Sequence, residues 1–265
     1  MIRVSKFNYG YFYAVLLAAL GMTLLTIPDL LKHGYLDPIL SGITENRFVR
    51  NLQQSLPPRE AEARMSNPFD TNDLLSQLET ADLEWQPKEE ILEDGSTRYL
   101  YKRREGEPDL SVAELKILVE QPPTFLKERK AILQLLQVLR KAGARVVLAP
   151  TLKEGAAAEW DHSVGMLRIQ PKMPQKGSVD FLKVLSHEAI HVAQSCKAGS
   201  LKSRPRALGI AVANKDDFLR KLRDPVYATA SHWEIQLEME AYATQDDSSA
   251  AKQHVLNQCV QVSSS

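Results

Sequence analysis

The chain has 265 residues, a formal net charge of zero and 25% charged residues. With no long Lys/Arg block, that balance argues against a general nucleic-acid binder, and the length suits one well-cored domain with appendages or two small ones. Two cysteines, Cys196 and Cys259, exclude a multi-disulfide framework and a four-cysteine metal site, and leave two free thiols or one bridge.

Residues 1–8 carry Arg3 and Lys6 and precede an uncharged apolar run, Tyr9 to Ile27, ended by Pro28-Asp29. The run is close to the roughly 20 residues that cross a bilayer and predicts a transmembrane helix over 9–31. As a signal-anchor it leaves residues 1–8 cytoplasmic and the C-terminal part exported to a periplasmic, lumenal or extracellular space. As a cleaved signal peptide it makes the protein secreted, although it is long for that and no A-x-A site follows. Residues 32–110 read as a linker and accessory region, broken at Pro57-Pro58 and Asn67-Pro68, with short helices at about 43–55 and 71–80. Glu93-Asp94-Gly95-Ser96 between two strand-like runs predicts a hairpin, and Glu114 to Val119 reads as a strand.

From residue 111 to 250 the pattern fits one α+β domain, with 251–265 as a tail. Thr124 is the expected N-cap of an amphipathic helix over 125–141, with Ile132, Leu135, Leu136 and Leu139 at helical spacing and Gly143 closing it. Ala144 to Ala149 predicts a buried strand, and 156–160 with 166–170 a second hairpin around Asp161 to Gly165. Helices follow at 179–198, 207–222 and 233–245.

The helix at 179–198 carries His187-Glu188-Ala189-Ile190-His191. Residues four apart stack on one helical face, so two imidazoles in this spacing share one Zn²⁺, and the intervening Glu188 is placed as general base. With His187 at 0° on a helical wheel, His191 falls at about 40° and Gln194 at about 340°, opposite Leu185, Ala189, Val192 and Cys196. Two surface histidines without a metal are the plainer reading, but an apolar back with both histidines on the front favours a metal. A catalytic zinc needs a third protein ligand and one open position. Glu234, Glu238 and Glu240, all on the helix at 233–245, are the candidates. Lys183, Gln194 and Lys197 on the HExxH helix, with no second membrane-length apolar run, exclude an intramembrane protease.

HEAIHVAQ followed downstream by LEMEAYATQ resembles the gluzincin metallopeptidases, and more narrowly minimal zincin domains with HE-x-x-H-x-x-Q and E-x-E-A-[DY]. The resemblance covers about residues 125–246. It implies a zincin-like α+β domain with an active-site helix, a small mixed sheet whose edge strand, Met166 to Gln170, binds extended polypeptide, and a C-terminal helix carrying the third ligand. Carried over, Glu238 is that ligand, beside His187 and His191, for one Zn²⁺. Tyr242 stands where many gluzincins have an Asp that orients a zinc-bound histidine. Glu240 is the second choice as ligand, Glu234 is a candidate for support behind the ligands, and Tyr227 and His232 are candidate oxyanion donors. The implied function is a zinc metallopeptidase with a polypeptide substrate, attached to a membrane by its N-terminal helix. The alternative is a non-catalytic zincin-like domain that binds a peptide or membrane-protein partner. An exported domain also motivates a Cys196–Cys259 bridge.

Overall fold

The computed structural model describes residues 3–5, 69–104, 106–212, 220, 222–223, 227 and 230–259. The apolar segment at 9–27 and the expected helix at 43–55 lie outside these residues. Among the described residues no helix is long and apolar enough to cross a membrane.

In chain order the elements are β1 (Arg3–Ser5), α1 (Thr71–Asp82), β2 (Lys88–Ile91), β3 (Thr97–Leu100), α2 (Val112–Glu120), α3 (Leu126–Lys141), β4 (Arg145–Leu148), β5 (Ala158–Asp161), β6 (Met166–Ile169), α4 (Ser178–Lys197), α5 (His232–Thr244) and α6 (Ser248–Cys259). The fold is α+β. Among the described residues two three-stranded sheets run β1-β3-β2 and β4-β6-β5. In the second, β4 is parallel and β5 antiparallel to β6, so the sheet is mixed.

The core lies between that sheet and the helices. Ile132, Leu135, Leu136 and Leu139 of α3 are buried, as their spacing predicts, and meet Phe181, Leu185, Ala189, Val192 and Cys196 on the back of α4. Leu167 and Ile169 face the same core from β6, and Trp160 of β5 donates its indole N–H to Ser195 Oγ of α4 at 2.8 Å. The core extends beyond residues 111–250. Leu74 and Leu78 of α1 belong to it, and so do Val255 and Cys259 of α6, which packs along α4.

Asp82, at the end of α1, is nearly fully buried and caps α4. It accepts the Ser178 backbone N–H at 2.7 Å, the Ser178 hydroxyl at 2.6 Å and Arg129 Nη1 at 2.5 Å. A carboxylate at a helix N-terminus satisfies orphan N–H groups and complements the helix dipole. Gly177 makes room for it. Its φ is +87°, and an added Cβ there would lie 2.9 Å from Asp82 Oδ1.

Four expectations are corrected. Glu114 to Val119 is helical, because Ser111 and Glu114 form a reciprocal capping box that starts α2. Thr124 is not the N-cap of α3; Phe125 takes that position in the left-handed region at φ 51°, and Thr124 instead offers its carbonyl to Arg129. The edge strand is not Met166 to Gln170. β6 is central, and its one charged residue, Arg168, is 1% exposed and paired with Asp161 of β5 at 3.1 Å. That pairing compensates the buried guanidinium charge in a central strand; the edges of the sheet are β4 and β5. Residues 207–212 form no helix, because the N–H groups of Leu208, Gly209 and Ile210 bind the Glu240 carboxylate instead of a preceding helical turn.

Candidate metal centre

α4 and α5 supply the site. A capping box, Ser231 with Glu234, starts α5 and sets its phase. Glu234 is thereby occupied at the helix N-terminus. One turn on, Glu238 faces α4. His187 Nε2 lies 3.1 Å from Glu238 Oε2, His191 Nε2 lies 3.2 Å from His187 Nε2, and His191 Nε2 lies 3.6 Å from Glu238 Oε2. The three side chains are 12–17% exposed, so the cluster opens to solvent on one side.

These separations test the donor set for zinc. Ligand bonds of about 2.0–2.1 Å at tetrahedral angles put donor atoms about 3.3 Å apart. The observed triangle, 3.1–3.6 Å on a side, is close to that, and one nitrogen of each imidazole and one carboxylate oxygen lie near enough together to share one ion. The residues fit the ion.

For the neutral ring that a metal requires, the contacts of His191 set the tautomer. Its Nδ1–H donates to Gln194 Oε1 at 2.9 Å, which turns the Nε2 lone pair of the neutral ring toward the site. The amide orientation of Gln194 follows from its other contacts, because Nε2 donates to Leu237 O at 3.1 Å and Glu240 Oε2 at 2.9 Å.

Burial lowers the tendency of His191 to carry a proton, but the Glu238 carboxylate outweighs it and raises the pKa to about 9. Burial likewise pushes the Glu238 carboxyl up, and the two histidines overcome it and hold the group well below the carboxylate range. The metal-free cluster is therefore an ion pair. Its His191 contribution to stability is complete below the unfolded value and is lost as pH rises through about 9, while the Glu238 contribution is complete above the unfolded carboxylate value and is lost as pH falls below it. Because a zinc ligand must be unprotonated, zinc binding at about pH 8 is expected to release close to one proton, and the release should decline as pH rises through 9. Calorimetric titration in buffers of different ionisation enthalpy measures it; no release at about pH 8 would contradict the pairing.

Glu188 is 6% exposed, and its Oε2 has no hydrogen-bond partner. Burial raises its pKa above the ordinary carboxylate value, and the nearby histidines pull it back. Tyr227 donates its hydroxyl proton to Glu238 Oε2 at 3.1 Å, and its oxygen lies 2.9 Å from that of Tyr242. With the Tyr227 proton on Glu238, Tyr242 is the donor between the two phenols. Burial and then the Glu238 charge push the Tyr227 phenol far above its ordinary range, so it remains a protonated donor. The Tyr242 ring packs edge-on against His187, with centroids 4.7 Å apart.

Of the sequence candidates, the structure gathers His187, His191, Glu238, Glu188, Tyr227 and Tyr242 into one cluster. His232 is exposed at the first turn of α5. Glu240 is no ligand: its buried carboxylate points away from the histidines into Gln194 and the 208–210 backbone. The Gln194 role is one that sequence reading leaves unassigned, although its place on the front of α4 is the signal. Cys196 and Cys259 form a disulfide, with S–S 2.11 Å and 63 residues of separation.

No protein-family model, curated protein or solved structure matches this chain.

Proposed function

We propose that this chain is a zinc-dependent peptidase with a gluzincin-type site: His187, His191 and Glu238 hold the metal and Glu188 is the general base. The observation that carries the reading is the convergence of the three donor atoms at tetrahedral-edge separations beside a buried carboxylate oxygen that no protein group satisfies. When bound, zinc supplies an acidified water and polarises a carbonyl. Glu188 Oε2 takes the proton of the attacking water and returns it to the leaving amine nitrogen. The Tyr227 hydroxyl, released from Glu238, donates to the oxyanion that develops on the carbonyl. Tyr242 holds that phenol in place and braces the His187 ring in the position where gluzincins use Asp. The substrate is extended polypeptide, for which β5, the edge of the mixed sheet beside α4, is the receiving strand.

The expected metal content is one zinc per chain, falling to background in His187→Ala, with cleavage of a peptide library by the wild type only. Background zinc in the wild type would end this reading. Zinc bound without any cleavage would favour a non-catalytic domain that grips a peptide or membrane-protein partner.

The membrane anchor is a separate proposal resting on the apolar run at 9–27. Pairing of Arg3–Ser5 with β3 requires the chain start on the same side as the domain, whereas a signal-anchor separates them. Labelling of a cysteine placed at Val4, in intact and in permeabilised cells, decides between the two.

A further inference from the structure

The buried amide and carboxylate behind His191 form a continuous chain that is not spent on the fold alone. Glu240 is 3% exposed and accepts four donors: Leu208 N–H at 2.7 Å and Gln194 Nε2 at 2.9 Å on one oxygen, Gly209 N–H at 2.6 Å and Ile210 N–H at 3.0 Å on the other. Gln194, fully buried, passes the polarity on through its amide to His191 Nδ1. Every proton in the chain points toward the Glu240 carboxylate. We infer that Gln194 and Glu240 are positioning residues that hold His191 with Nε2 facing the metal and that couple the Leu208–Ile210 segment to the site; this rests on the zinc reading above.

The physical case has three parts. An imidazole ligand needs its non-ligating nitrogen held by an acceptor, which sets both tautomer and ring rotation. A neutral amide alone is a weak acceptor, and a carboxylate behind it polarises the amide, so that His191 is served by a carboxylate one residue removed. The remaining carboxylate capacity is filled by three backbone N–H groups, so the buried charge is compensated and the 208–210 backbone is drawn against α5. Loss of Glu240 thus reaches the metal through Gln194, although Glu240 touches neither histidine in the chain of bonds.

Zinc affinity, measured by chelator competition on the full chain, tests this in the wild type, in Gln194→Met, in Glu240→Gln and in the double swap Gln194→Glu with Glu240→Gln. Each single variant is expected to bind zinc about 10–100-fold more weakly. Gln194→Met also removes the bonds to Leu237 O and Glu240, so its metal-free melting temperature should fall, and its zinc affinity is measured below that transition. In ¹⁵N-histidine spectra of the zinc-loaded protein, the His191 Nδ1 proton should be slow to exchange in the wild type and fast in Gln194→Met, a change that a purely structural role does not produce. The double swap places a carboxylate directly on Nδ1 and should return affinity to within about tenfold of the wild type, which also decides the case in which a single variant fails to fold. Wild-type affinity in the folded single variants, or a folded double variant as weak as Gln194→Met, would overturn the inference. Absence of zinc binding in the wild type is a different failure: it removes the metal centre itself, and the positioning role with it.

Discussion

Glu188→Gln is expected to leave zinc bound at one per chain and to reduce peptide hydrolysis by about 10²–10⁴-fold. The two halves of that expectation have separate origins. Glu188 is not among the converging donor atoms, and an amide has the size of the carboxylate it replaces, so the ligand triangle of His187, His191 and Glu238 should persist. The amide cannot accept a proton, so the water loses its base. The surroundings of Glu188 suit a general base. Burial raises its carboxyl above the ordinary carboxylate value, and the adjacent histidines pull it back. The measurements are kcat/KM on a cleavable peptide and zinc by elemental analysis on the same preparation. Equal turnover in the variant would remove Glu188 from the chemistry; loss of zinc would make it a support for the ligands.

The site was more legible in the sequence than the scaffold around it. Histidines at i and i+4 must share a helical face, so His187 and His191 follow from spacing alone. Glu238 does not, since 47 positions separate it from His191 and helical phase alone does not choose among Glu234, Glu238 and Glu240. Resemblance points to Glu238; the structure shows what occupies the others. Glu234 is taken by the Ser231 cap, whose S-x-x-E signature is visible in the sequence, and Glu240 by a loop that no local pattern joins to it. The same contrast holds for strands. The hairpin pattern announces β6, but strand order within a sheet depends on partners far along the chain, and here β4 pairs with β6 on its other side and makes it central.

The accessory segment also has a structural role that composition conceals. Asp82 lies 96 residues before Ser178, yet it caps the helix that carries both histidines. α1 is therefore part of what fixes α4 against the sheet, through Leu74 and Leu78 on one side and this carboxylate on the other. By local pattern, residues 71–80 are a short helix in a linker. By burial, Leu74, Leu78 and Asp82 join the core behind the helix that carries both histidines.

Removal of the Cys196–Cys259 bridge is expected to cost about 4 kcal/mol of folding stability, the loop-closure entropy of a cross-link 63 residues apart. For a domain of this size that is a fall in melting temperature of about 10 °C. The bridge joins the apolar back of α4 to the last residue of α6, whose Ala251 and Val255 are buried in the same core. Breaking it therefore loosens α6 first, while the ligand face of α4 points the other way. The Cys196→Ser, Cys259→Ser double variant should thus melt early but bind zinc with the affinity of the wild type below its transition. Differential scanning calorimetry with and without reductant checks the first part and chelator competition the second. Two reactive thiols in denatured, non-reduced protein would show that the bridge is not formed in the molecule as isolated. If the double variant melts with the wild type, packing of α6 on α4 suffices and the cross-link adds nothing. If it loses zinc, the back of α4 transmits strain to His187 and His191, and the metal centre depends on the disulfide and so on an oxidising compartment.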